Sequence, residues 1–279
     1  MRRLSYIAGI AALIVFVQPA AGQQRALEEF LLRMGQYLVD YEARLSTVVA
    51  EEHYDQWIQT PPALRRKLTS DFLLMRLPEG FGWLGVRDVF LVDGKPVRDR
   101  DQRLLTLLSQ GSADAREQVA KIAAENARYN IGDVFRNTNV PTLTLDLLHP
   151  RNRSRVSLRK TGEATIEGTR TWKIDFTEHS RPSLIRSLNG QDRLARGTAW
   201  VEPVEGAVVR TQLDLGGDDA FELLRSRVTV NYRRDATLDL RVPSEMREIY
   251  QRPTRQIGGL ATYRNFRRFE TSVRILPPP

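Results

Sequence analysis

Glu51, Glu52 and His53 form the one local cluster of metal-ligating residue types in this sequence, which holds three histidines and no cysteine. Successive side chains of a strand point to opposite faces, so His53 shares a face with Glu51 and turns away from Glu52. His53, His149 and His179 form neither H-x-x-x-H nor H-E-x-x-H, so the cluster reads as a polar strand face, not a metal site. Gly80 to Gly85 spells G-x-G-x-x-G. A dinucleotide site needs that motif to open a helix. Here the strand-like run Val86 to Val92 follows, so the glycines read as a hairpin turn. Ser157 to Gly162 contains both S-x-x-K and K-T-G. Penicillin-recognising serine enzymes keep those motifs apart, and here they overlap in one strand-and-turn with no S-D-N. No G-x-S-x-G elbow occurs. The expected catalytic set, metal site and cofactor are therefore all none, and the chain reads as non-enzymatic.

One carboxylate stands out. Leu84, Val86, Phe90 and Val92 read as one apolar face of a strand, and Asp88 falls in its middle. An unpaired buried carboxylate is costly, so an arginine should meet it or the strand should twist to expose it. Arg100 and Arg128 are the candidate partners.

The start of the chain speaks for location. Arg2 and Arg3 precede an uncharged apolar run from Tyr6 to Val17, which Pro19 breaks before Ala20-Ala21-Gly22. That is the pattern of a secretory signal, too short for the ~20 apolar residues of a bilayer span. The expected division is a signal peptide over 1–22, a single α+β domain over 23–276 and a proline tail at 277–279. The exported chain would be periplasmic or secreted and not membrane-spanning after cleavage. Without cysteine it can carry neither a lipid anchor nor disulfides, so burial alone must hold it together. The net charge of +8 rests mostly on arginine. An anionic envelope surface is a candidate partner, whereas export argues against nucleic acid.

Leu27, Phe30, Leu31, Met34, Leu38, Tyr41 and Leu45 recur at three- and four-residue steps, predicting an amphipathic helix over about 25–45. The period then changes to two. Strands are expected from Val48, over 67–77 and over 83–92, with turns at Pro78-Glu79-Gly80 and Asp93-Gly94. A helical insertion spans about 100–130. Leu104, Leu107 and Leu108 form one short face. Gly111 and Ser112 divide it from a second helix carrying Val119 and Ile122. From 142 onward apolar and polar residues alternate: Leu143-Leu145-Leu147, Trp172-Ile174-Phe176, Val209-Leu213-Leu215, Val228-Val230-Tyr232 and Leu238-Leu240-Val242. Turns are expected at Thr161-Gly162-Glu163, Glu205-Gly206, Gly216-Gly217-Asp218 and Arg234-Asp235. One dry and one wet face in strand after strand predicts an antiparallel sheet. The fold class is α+β: a strongly curved antiparallel sheet, an unclosed β-barrel, with an N-terminal helix and an inserted helical segment.

This arrangement resembles the LolA/LolB superfamily of periplasmic lipoprotein carriers, which have an unclosed β-barrel and a helical lid. Gly197 to Arg210 is similar to that superfamily's strand, acidic turn and strand. Val242-Pro243-Ser244-Glu245-Met246 is similar to its strand-ending pattern. The resemblance is best over about 155–250. Arg87 to Arg100 and Ala127 to Gly132 resemble parts of an uncharacterised exported bacterial family, which supplies no activity.

Two functions remain open, beside an exported hydrolase with scattered catalytic residues that nothing specific in the sequence supports. One is a binding protein holding a hydrophobic or acyl ligand, a lipid or a lipoprotein, with Phe72, Leu74, Phe90, Trp172, Phe176, Trp200, Val230 and Tyr232 lining the interior. The other is a protein-interaction or sensor module with a filled core and an arginine-rich surface. Exported protein is expected to begin near Gln23. N-terminal sequencing of periplasmic material checks this, and retained Met1 on membrane-bound protein would refute it.

Overall fold

The computed structural model describes residues 20–45, 48–59, 62–76, 82–100, 103–104, 113–134, 136, 138–187, 189–216 and 224–268. The expected signal segment before Ala20, the turn at 78–80, Leu107 and Leu108, Gly111 and Ser112, Gly217 and Asp218, and the proline tail lie outside them.

Helix α1 (Ala20–Leu45) leads into strands β1 (Val48–Ile58), β2 (Leu64–Arg76), β3 (Trp83–Val92) and the two-residue β4 (Lys95–Pro96). Helices α2 (Ala113–Ala127) and α3 (Leu143–Leu148) and a 3-10 turn (Pro150–Asn152) follow. Seven more strands follow among the described residues: β5 (Val156–Ile166), β6 (Thr169–Glu178), β7 (Ala195–Val201), β8 (Val208–Leu215), β9 (Arg225–Asp235), β10 (Leu240–Arg252) and β11 (Arg255–Arg268). All eleven strands form one sheet in the order β4-β3-β2-β1-β11-β10-β9-β8-β7-β6-β5. Every pairing is antiparallel. The sheet is a meander cut by the 97–155 insertion and joined across β1 and β11. Its two ends, β3–β4 and β5, do not pair with each other, so the barrel is unclosed.

One core holds the sheet in a curve. Trp83 and Val89 of β3 and Val156 of β5, from opposite ends of the sheet, share a buried cluster with Phe30, Met34, Leu38, Tyr41 and Leu45 of α1. Those α1 residues recur at three and four, so one stripe of the helix faces the sheet. Glycine admits the helix at two places. A Cβ on Gly206, in the β7–β8 turn at φ 73°, would lie 2.6 Å from the backbone nitrogen of Met34. A Cβ on Gly35 would lie 2.8 Å from Cγ of Pro150. Arg44 then ties the helix end to the β9–β10 turn, donating from Nη2 to the carbonyl oxygens of Leu238 (3.0 Å) and Asp239 (2.6 Å).

The alternation read for Trp172-Ile174-Phe176, Val228-Val230-Tyr232 and Leu240-Val242 agrees with the inner face. Three local readings need correction. Leu143-Leu145-Leu147 belong to helix α3, whose Thr144, Asp146 and Leu148 are buried as well. Dry residues on all sides fit a short interior helix as well as a strand, and Pro150 stops it two residues past its end. Thr161-Gly162-Glu163 is a bulge inside β5 between Lys160 and Gly162, not a turn. The chain turns instead at Glu167-Gly168, both at positive φ. In β3 a bulge opposite Thr69 and Ser70 shifts the register. Leu84, Val86, Asp88 and Phe90 share the outer face by plain alternation, and past the bulge Val92 turns to the inner core that Val89 also meets.

Truncating Phe30 to alanine should cost about 3–5 kcal/mol of stability, because the large side chain is fully buried. Leu32→Ala, whose side chain is 74% exposed, should stay within about 0.5 kcal/mol. Equilibrium denaturation decides, and equal costs would refute the orientation of α1.

Candidate functional site

Three features bear on function: an ionic network under the inner face, a second one on the outer face, and a groove along α1. The inner network grows from β1, β2, β3 and β10, whose alternation places Glu52, Ser70, Arg87 and Glu248 among dry residues. Glu52 and Glu248 are both fully buried. Arg87 grips Glu52 with two prongs, Nε to Oε2 at 2.5 Å and Nη2 to Oε1 at 2.9 Å, and Ser70 Oγ donates to Oε2 at 3.2 Å. Burial works against the Arg87 cation, but the Glu52 carboxylate outweighs it and holds the pKa above the usual guanidinium value. Arg136 pairs with Glu248 and donates to Tyr54 Oη at 2.5 Å. Tyr250 Oη donates to the other oxygen of Glu248 at 3.0 Å. Burial raises the pKa of both Tyr54 and Tyr250, so both phenols stay protonated.

This network holds down the chain between α2 and α3. Ile131 donates its N–H to Gln56 Oε1 at 3.1 Å, and Tyr129 accepts from Arg66 at 3.1 Å through its carbonyl oxygen. The carbonyl oxygens of Asn139 and Pro141 accept from Arg87 (3.0 Å) and Tyr232 (2.5 Å). An irregular buried backbone needs such partners. The sequence reading missed this network. Its signal was a carboxylate in the dry register, Glu52 between Ala50 and Tyr54 and Glu248 between Met246 and Tyr250, the same signal that singled out Asp88.

On the outer face Asp88 is buried, and arginine does meet it, from a different place in the chain than expected. Arg98 pairs with it, and Arg103 holds it at 2.6 Å. Arg100 goes instead to Asp71 (2.6 Å) and Glu51 (2.9 Å). Arg128 lies over the Tyr129 ring. His53 contacts Glu51 at 3.0 Å, on the shared face read from the sequence. Leu104 and Ile122 pack on Val49, Leu73 and Val86 in a second, smaller core. No group of three or more His, Asp or Glu residues suited to a metal ion occurs among the described residues.

Of the residues read as interior lining, Phe72, Leu74, Phe176, Val230 and Tyr232 are buried in the inner core against α1 and α3. Trp172 is half-buried, its ring 4.7 Å from Phe30. Trp200 and Phe90 lie on the outer face instead. Trp200 alternates with the core residues Ala199 and Val201 and stands below Arg210, and Phe90 alternates with the core residue Val89 and lies under Arg100. The inner face is thus occupied by helices. An apolar groove of ≈ 530 Å³ runs along α1, between that helix and the corner at Leu148, Pro150 and Arg153. Leu31, Leu32 and Val39 form its other wall.

No family model matches the chain, and no curated protein sequence matches it. Among solved structures it is similar to a DUF1329 family protein from Desulfovibrio piger, at 12% identity over 90% of this chain and 94% of that one, with a TM-score of 0.38. It is also similar to an outer membrane lipoprotein-sorting protein domain from Vibrio parahaemolyticus, at 8% identity over 89% and 95%, with a TM-score of 0.44. A LolA superfamily protein from Nitrosomonas europaea aligns at 10% identity over 87% and 94%, with a TM-score of 0.31. No helix among the described residues is long and apolar enough to cross a membrane.

Arg136→Ala should cost about 3–5 kcal/mol by leaving Glu248 buried without its cation. Replacing Arg136 and Glu248 together by leucine should cost less than the two single replacements summed. A double-mutant cycle in urea checks this, and strictly additive costs would refute the coupling.

Proposed function

We propose that this chain is an exported, non-enzymatic binding protein that holds a hydrophobic or acyl ligand. The observation that carries this reading is the apolar groove along α1. Its ≈ 530 Å³ falls within the ~300–1,000 Å³ of ordinary ligand sites. Leu32 and Val39 on its wall are 74% and 43% exposed, on a helix whose opposite face is fully committed to the core. Two further features support the non-enzymatic part. Glu52, Asp88 and Glu248 are each held by arginine, so their oxygens are engaged within the fold. His53 has a carboxylate neighbour and sits half-exposed on the outer face. Export and a periplasmic location rest on the apolar start of the sequence.

The helix-filled inner face favours one competing reading, the interaction module with a packed core. Native mass spectrometry of protein taken from an envelope extract separates the two. A co-purifying lipid adduct is expected, and Leu32→Glu should remove it without changing the circular dichroism spectrum. Adduct-free protein that also fails to brighten a solvatochromic naphthylamine probe would leave the interaction module.

A further inference from the structure

The α1 groove is apolar on most of its surface but carries two opposite charges, Glu28 and Arg153. These two charges are not equivalent. Glu28 accepts from Gln24 Nε2 at 3.1 Å through its Oε1. Arg153 donates its backbone N–H to Pro150, yet among the described residues its guanidinium meets no carboxylate. Its neighbours are engaged: Arg151 pairs with Glu42 and Asp146, and Arg155 donates to the Pro182 carbonyl oxygen. Partial burial of its side chain lowers the pKa of Arg153. A guanidinium is a planar fork matched to a carboxylate and binds one with two parallel hydrogen bonds. An apolar trough with a cation of this kind on its wall is complementary to an amphiphile: chain in the trough, anion on the fork.

Resting on the binding reading above, we infer that the groove selects a single-chain amphiphile with a carboxylate head, a free fatty acid, and that Arg153 receives the head. Leu31, Leu32, Met34, Val39, Leu148 and Pro150 provide the walls for the chain. Glu28, at the same groove, works against a second negative charge. That favours one carboxylate over a doubly charged phosphate monoester.

The test is a titration of the full exported chain with dodecanoate, its methyl ester and dodecylamine below their aggregation limits, read by displacement of the naphthylamine probe. The acid should bind about tenfold more tightly than the ester, the worth of one charge-assisted contact. Arg153→Gln should erase that difference, and Arg153→Glu should turn the preference toward the amine. Glu28→Gln should tighten the acid. Both side chains are exposed, and circular dichroism confirms that the variants fold. Equal binding of acid and ester by the unaltered chain would overturn the carboxylate assignment while leaving the apolar groove in place. Failure of all three compounds to displace the probe would overturn both readings. A concentration-dependent dimer in sedimentation, lost on Leu32→Glu, would assign the groove to a second copy of the chain and overturn the fatty acid.

Discussion

An open antiparallel sheet with one apolar face cannot leave that face in water, and α1 answers this requirement. Its buried stripe meets strands from both ends of the sheet in one core. The curvature of the sheet and the placement of the helix are therefore one event. Gly206 and Gly35 are tolerances for it: each lets backbone or ring come closer than any side chain would allow. The same burial commits only one side of the helix. The residues left over, Leu32 and Val39, form an apolar wall for which the sheet has no use. The groove is thus a by-product of the packing that makes the fold, open to recruitment for binding.

Where α1 ends, the inner face is covered by different means. The segment between α2 and α3 has irregular backbone, and its carbonyl and N–H groups need partners that leucines cannot supply. Gln56, Arg66, Arg87 and Tyr232 provide them. Arg87 and Arg136 then require anions of their own in a dry place, which Glu52 and Glu248 furnish. The attraction in such buried pairs is largely offset by the desolvation of both charges. Their consequence is placement: any shift of the segment would strand a charge.

The sheet was legible in the sequence because period-two alternation is a direct record of one dry and one wet face, and α1 because its stripe recurs cleanly. The misread elements have a shared physical cause. In α3 both faces are buried, so the alternation of Leu143, Leu145 and Leu147 recorded nothing about a solvent face. In β3 the face holding Leu84, Val86, Asp88 and Phe90 is the outer one, and a single extra residue at the bulge turned Val92 away from it to the inner core. Asp88 was singled out because its neighbours on the strand are apolar, with an arginine partner or an exposing twist both left open. Its partners were beyond reach, since Arg98 and Arg103 approach from the inserted segment and no local pattern encodes that approach. The α1 groove was invisible for the same reason: its second wall, Leu148 to Arg153, lies more than a hundred residues further along the chain.

The edges of the unclosed barrel are occupied rather than left bare. An edge strand offers unpaired N–H and C=O groups and tends to recruit another strand. On β3, Val89 donates its N–H to Asn126 Oδ1 at 2.9 Å, and its carbonyl oxygen accepts from Arg98 Nε at 3.1 Å. The inserted segment thus satisfies this strand from the side on which a twelfth strand would pair. β5, at the other end, alternates exposed residues along its length and carries Arg159, Lys160 and Glu163, charges that resist strand addition. Asp88 belongs to the same device. By holding Arg98 and Arg103 it fixes the segment that caps β3, so a buried ion pair on the outer face helps to occupy this edge.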